Sequence, residues 1–157
     1  DLLAKLEAVR LVCKISGCAQ RYLTHDAFGG ILQATQRADA NHGTDYGQRF
    51  LAYLHDAQDR DLTIGVAMTD AKGDRSKKPH QQANPDAYVH VVERNAKGIV
   101  ISGTKAIVTG GPYMHEFLVM PSRNMGRNDA DFAVCCAVPG KSICSRKCAL
   151  PALLGES

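Results

Sequence analysis

The chain has 157 residues, of which 45% are hydrophobic and 22% charged. Those are globular proportions, and they exclude a disordered chain that could not bury enough apolar surface to fold. A net charge of +3, with basic residues scattered apart from Arg75-Ser76-Lys77-Lys78, excludes the broad basic face that a nucleic-acid partner needs. No run approaches the roughly 20 apolar residues that cross a bilayer.

Asp1 opens directly on helical pattern, without an initiator Met and without a charged-then-apolar leader, so the natural start is expected upstream. Leu2, Leu3, Leu6, Val9 and Cys13 recur at spacings of three and four, which predicts a helix with one apolar stripe. Thr24 and Asp26 offer N-cap oxygens for a second helix carrying Phe28, Ile31, Leu32 and Thr35. Gly43 is placed to stop it, and Thr44 or Asp45 to cap a third helix. There Phe50, Leu51, Leu54 and Gln58 repeat at helical spacing to about Arg60.

After Asp61 the period changes. Leu62 to Thr69 is apolar and β-branched and predicts a strand. Asp70 to Asp86 is a long polar stretch in which Gly73, Pro79 and Pro85 argue against regular structure, and loops of that length are often functional. Tyr88 to Glu93 alternates, Asn95 to Gly98 predicts a turn, and Ile99 to Val108 resumes strand character. Gly110-Gly111-Pro112 predicts a second turn. Tyr113 to Met120 and Phe132 to Val138 are two further strands, joined by a polar link through Gly126. Helices followed by a run of antiparallel strands give an α+β class, with a helical segment at 1–61 and a β-domain at 62–157.

Six cysteines are present: Cys13, Cys18, Cys135, Cys136, Cys144 and Cys148. A core-rich chain of this length does not need disulfide staples, so reduced thiols and a cytoplasmic location are expected. Adjacent Cys135 and Cys136 in a strand must face opposite sides, as small core residues. Cys144 and Cys148 have a ligand-like gap but no second pair, and Cys13 and Cys18 fall on different helix faces, so spacing predicts no metal site. His115 and Glu116 also point oppositely on a strand, so at most one faces a pocket. Phosphate-loop, nucleophile-elbow and zinc-helix motifs are absent.

Several runs carry a family resemblance. They are Ala67-Met68-Thr69-Asp70-Ala71-Lys72-Gly73-Asp74-Arg75, Pro85-Asp86-Ala87-Tyr88 through Glu93, and Gly98 through Ala106. Thr109-Gly110, His115-Glu116, Asp131-Phe132-Ala133-Val134, Gly43 through Tyr46 and Arg49-Phe50 agree as well. From about Arg10 to Pro139 the chain resembles the family uniting 4-hydroxyphenylacetate 3-hydroxylases and 4-hydroxybutyryl-CoA dehydratases. The resemblance implies an acyl-CoA-dehydrogenase-like fold: N-terminal helices, then an antiparallel β-barrel-like domain. The C-terminal helical domain that builds a homotetramer would be missing from this chain.

The same resemblance implies FAD bound by Met68, Thr69, Asp70, Lys72, Gly73, Asp74 and Arg75, and by Ile107, Val108, Thr109 and Gly110. A flavin ring takes hydrogen-bond donors at its carbonyl edge and its pyrophosphate takes cationic or amide partners, which loop amides, two threonines and Arg75 can supply. Residues near the substrate are implied at Cys18, Gln20, Tyr22 and His115. In the hydroxylases an Arg and a Tyr stand at the spacing of positions 18 and 22, with a His before the flavin loop; here Tyr22 matches, Cys18 replaces the Arg and Val66 replaces the His. In the dehydratases two cysteines spaced C-x-x-x-C hold a four-iron cluster; Cys18 matches the first, Gln20 a polar active-site residue, and Tyr22 stands at the second, where a phenol is a poor substitute for thiolate.

The leading expectation is thus hydroxylation of a small phenolic acid by oxygen and reduced flavin from a partner reductase. The alternative is a dehydratase and isomerase acting on a short hydroxyacyl-CoA, with an iron–sulfur cluster. A third expectation is that the isolated chain, lacking its covering helices, is poorly soluble, binds flavin weakly and does no catalysis.

Overall fold

The computed structural model describes residues 2–16, 20–71, 73–96, 98–142 and 148–150; Asp1, Cys18, Lys72 and Cys144 lie outside them. Among the described residues three helices come first: α1 (Leu2–Ser16), α2 (Gln20–His42) and α3 (Tyr46–Asp59). The helix predicted for α1 forms, and its stripe is only partly covered: Leu3 is 74% exposed and Leu6 45%, while Val9 and Cys13 are half-buried.

The predicted N-caps at Thr24 and Asp26 are corrected, because α2 begins earlier, at Gln20. Thr24 is instead buried in mid-helix, and its hydroxyl donates to the Ile64 carbonyl at 2.6 Å. Gly43 does stop α2: it sits at φ +66°, where a side chain is strained, and its N–H bonds to the Asp39 carbonyl. Neither Thr44 nor Asp45 caps α3 through its side chain. Asp39, one turn before the corner, does so across it. Its carboxylate accepts from Thr44 Oγ1 (2.6 Å), Tyr46 N (2.9 Å) and Gly47 N (2.8 Å).

The Thr44 hydroxyl bond, followed by the Gly47 and Tyr46 amides, outweighs desolvation and holds the Asp39 carboxyl below the ordinary aspartate range. A carboxyl depressed in the folded state stabilises above its unfolded pKa, and that stability is lost as pH falls through the folded one. The expected result is a melting temperature that drops in acid for the parent chain. Asp39→Asn should start lower and follow a flatter acid limb, and superimposable pH profiles would exclude the cap.

Six strands follow among the described residues: β1 (Ile64–Ala67), β2 (His90–Asn95), β3 (Gly98–Ser102), β4 (Glu116–Val119), β5 (Cys136–Pro139) and β6 (Cys148–Leu150). They form two three-stranded sheets, ordered β1-β4-β5 and β2-β3-β6. The strands do not all pair antiparallel as expected, since β1 runs parallel to β4, with Ile64 opposite Glu116 and Ala67 opposite Val119. Neither sheet closes into a barrel among the described residues.

Strand alternation divides the apolar residues between two cores. Leu118 and Ile64 face the helices and join Ile31, Phe50 and Ala57, beside the edge-on rings of Phe28 and Phe50. Phe117, Val119 and Val138 face the second sheet and pack with Val89 and Ile101. Cys135 packs on the helical side and Cys136 on the other, as their adjacency requires, and both are free thiols. Burial pushes the Cys135 thiol up to about 11, which keeps it protonated and inert at neutral pH. Among the described residues no helix is long and apolar enough to cross a membrane.

Four strands are shorter than their sequence patterns. The run from Leu62 to Thr69 pairs only over Ile64–Ala67. The run from Ile99 stops at Ser102 because Gly103 turns the chain at φ +124° against the Tyr88 carbonyl. The run from Tyr113 begins pairing only at Glu116, after a 3₁₀ turn over Gly111–Tyr113, and Phe132 closes a 3₁₀ stretch rather than opening β5. The long loop is not irregular throughout. Its two prolines start 3₁₀ turns at Pro79–Gln81 and Pro85–Ala87, where a missing N–H costs nothing.

Candidate functional site

The chain leaves the first sheet at Ala67 and runs through Met68, Thr69, Asp70 and Ala71 along the segment Thr104–Ala106. Ala106 N donates to the Thr69 carbonyl at 2.8 Å and Ala71 N to the Thr104 carbonyl at 3.1 Å, with an antiparallel bridge between Asp70 and Lys105. The side chain of Lys105 is 9% exposed, and its ammonium makes three bonds. It donates to the Met68 carbonyl (2.9 Å), the Met120 carbonyl (2.7 Å) and the Asp70 carboxylate. The second Asp70 oxygen accepts from Ser122 Oγ at 2.6 Å. Parallel pairing of Ala67 with Val119 makes this possible, because residues 68 and 120 leave their strands at the same end. Burial draws the Lys105 pKa below the ordinary lysine value, and the Asp70 carboxylate opposes that pull.

Beyond Ala106 the backbone turns sharply. Ile107 adopts φ +57° while 75% exposed, and Gly110 adopts φ +72°. A β-branched residue in the left-handed region costs of order 1–3 kcal/mol and persists only where its surroundings hold it. Four successive N–H groups, those of Ile107, Val108, Thr109 and Gly110, find no acceptor among the described residues. A row of amides of this kind can receive carbonyl or phosphate oxygens. Met68, Thr69 and Thr109 are exposed, and the Thr69 carbonyl accepts from Ala106 N, immediately before the row.

The remaining cofactor candidates divide. Asp70 has both carboxylate oxygens engaged by Lys105 and Ser122, which leaves it a structural role. The Gly73–Gln82 turn ties itself off: Gln82 accepts from Asp74 N and donates to the Asp74 carbonyl, and Asp74 Oδ1 accepts from Ser76 N and Oγ. Those Ser76 bonds hold the Asp74 carboxyl low. Arg75 is exposed on this turn and forms no ion pair with a described residue. The fold therefore joins Met68–Asp70 to the segment leading into Ile107–Gly110, while among the described residues no hydrogen bond or ion pair links Arg75 to either.

His115 lies elsewhere. Its Nδ1 accepts from Thr63 N at 2.9 Å and its own N–H donates to the Thr63 carbonyl at 2.9 Å, which ties the starts of β1 and β4 together. Because the strands are parallel, a strand length of roughly 13 Å separates this end from Met68. Glu116 turns the other way and accepts from the Tyr53 hydroxyl at 3.0 Å. Gln20 and Tyr22 fall in the first turn of α2. Among the described residues, a cavity of about 310 Å³ between α2, Tyr46, Met120 and Cys135 and a smaller one beside Thr24 and Leu54 lie on the helical side and are lined by none of the candidate residues.

Sequence reasoning missed Lys105, whose only signal is a lysine amid the apolar run from Ile99 to Val108. It also missed the buried Asp129, which accepts from His80 Nδ1 (2.7 Å), His80 N (3.2 Å) and Gly126 N (2.9 Å) and so fastens the long loop.

A family model described as 4-hydroxyphenylacetate 3-hydroxylase N terminal matches residues 1–143. The chain is 40% identical over 140 residues to the 4-hydroxybutyryl-CoA dehydratase/vinylacetyl-CoA-Delta-isomerase of Clostridium aminobutyricum, covering 88% of this chain and 29% of that protein. A solved structure of the oxygen-tolerant archaeal 4-hydroxybutyryl-CoA dehydratase from N. maritimus superposes with a TM-score of 0.75 at 41% identity, covering 78% of this chain and 25% of that one. The oxygenase component of 4-hydroxyphenylacetate 3-monooxygenase complexed with FAD superposes with a TM-score of 0.58 at 25% identity, covering 72% of this chain and 23% of that one. The chain thus spans less than a third of the length of these relatives.

Proposed function

The chain belongs to the 4-hydroxyphenylacetate 3-hydroxylase N-terminal family of flavin enzymes, and from that premise we propose that Met68–Thr69 and Ile107–Gly110 form the flavin-contacting wall of an FAD enzyme. The observation that carries this reading is the row of four amides at Ile107–Gly110 that no described residue accepts from, on a strained turn that Lys105 fixes beside Thr69. These amides and the Thr69 and Thr109 hydroxyls fit the carbonyl edge of a flavin or its phosphates. Bound FAD supplies the electron-accepting ring. The chain's own part is to hold that ring with fixed donors.

For the reaction, the stronger support is for a short hydroxyacyl-CoA thioester as substrate, because identity of about 40% to the dehydratases is sustained along the chain. The iron–sulfur cluster of that reading does not fit, since Tyr22 stands where a second thiolate is needed. A second reading, hydroxylation of a phenolic acid with flavin reduced by a partner, is favoured by that same Tyr22.

The intact protein should take up one FAD per chain in a titration followed at the flavin absorbance bands. It should then convert 4-hydroxybutyryl-CoA anaerobically to an enoyl thioester, seen by its ultraviolet absorbance. Failure to bind FAD sinks the flavin reading. Catechol formation from 4-hydroxyphenylacetate with reduced flavin and oxygen, without thioester turnover, replaces the first substrate reading with the second.

A further inference from the structure

We infer that Lys105 is the positioning residue of the flavin wall: it touches no ligand, yet it sets where Thr69 and the Ile107–Gly110 amides stand. The inference rests on the flavin reading above and adds to it a residue that the motif comparison did not single out. Three separate pieces of chain meet at one ammonium. Met68 and Asp70 come from the end of β1, Met120 from the end of β4, and Lys105 itself sits two residues before the strained Ile107.

Each of the three protons on the ammonium has a described acceptor, so the group is geometrically saturated. Its location decides what it can control. Thr69 is flanked on both sides by Lys105 acceptors, and its own carbonyl is held by Ala106 N. Asp70 in turn carries the constraint to Ser122. No other charged pair among the described residues is as enclosed: side-chain exposure here is 9% and 5%, whereas the surface pairs on the helices exceed 40%. Removing the buried ammonium leaves one oxygen of the buried Asp70 carboxylate and two strand-end carbonyls without their donor, and the local backbone must move to hydrate them. That movement is transmitted to the neighbouring donors.

The test uses the intact protein, with Lys105→Met and the milder Ser122→Ala, which keeps the ion pair and removes only the second Asp70 donor. FAD affinity, the visible spectrum of the FAD-saturated protein and the melting temperature without FAD are measured for each. Lys105→Met should weaken FAD binding by about tenfold or more and shift the flavin band at saturation. Ser122→Ala should move both in the same direction by less. A variant that is merely less stable would still show the parent band once saturated, so an unchanged band with unchanged affinity in either folded variant overturns the inference. If Lys105→Met does not fold, Ser122→Ala decides alone. A parent protein that fails to bind FAD instead removes the flavin reading on which the inference stands.

Discussion

Replacing Gly103 with alanine is expected to lower folding stability by about 3 kcal/mol or more, read as an earlier urea midpoint with an unchanged slope. Two costs add. The residue sits at φ +124°, which L side chains rarely adopt. The new methyl carbon would also lie 2.4 Å from the Tyr88 carbonyl oxygen and 2.6 Å from Val89 Cα. Both contacts are backbone, so no side-chain rotation relieves them. Val89 belongs to the core between the sheets, and the chain just past Gly103 carries Lys105, so displacement spreads in both directions. A wild-type midpoint for Gly103→Ala would show that the Tyr88–Val89 backbone does not approach there.

Leu118→Ala should cost about 2–5 kcal/mol, as large-to-small changes in cores do. Leu118 is 1% exposed on β4, the central strand of its sheet, and faces Ile31, Phe50, Ala57 and Ile64. Its neighbours Phe117 and Val119 face the other core, so the cavity opens only between the sheet and the helices. Amide exchange in α2 and α3 should therefore accelerate more than exchange in β2 and β3. Leu51→Ala is the control: Leu51 is 43% exposed on α3, and its removal should stay within about 0.5 kcal/mol. Equal losses at the two positions would contradict the layer arrangement.

What could be read from the sequence was whatever a residue and its near neighbours decide together. Gly43 ends α2 because a left-handed turn is a local requirement, and Cys135 and Cys136 part to opposite faces because strand geometry leaves no choice. Thr24 was misread as a cap since its true partner, the Ile64 carbonyl, lies forty residues away. Asp39 escaped notice for a similar reason: it caps a helix other than its own, across a corner. The run from Ile99 to Val108 has strand composition throughout, yet a contact with the Tyr88 backbone bends it at Gly103. At the site, family resemblance marked Thr69 and Ile107–Gly110, and the fold joins the segments that carry them. It could not mark Lys105, whose role depends on two strands ending side by side, nor show that Asp70 faces inward and His115 the far end of the sheet.

The parallel pairing of β1 with β4 also dictates an order of events during synthesis. Ile64 cannot meet Glu116 until roughly fifty further residues have left the ribosome, a delay of about 3–10 s at ordinary elongation rates. Throughout that interval the nascent β1 has no sheet neighbour on its β4 side, and the apolar face of the helices has only part of its floor. The second sheet's hairpin of β2 and β3 needs only local contacts and can close first. The wall bearing Thr69 is thus assembled late, when β4 docks and the Met120 carbonyl arrives.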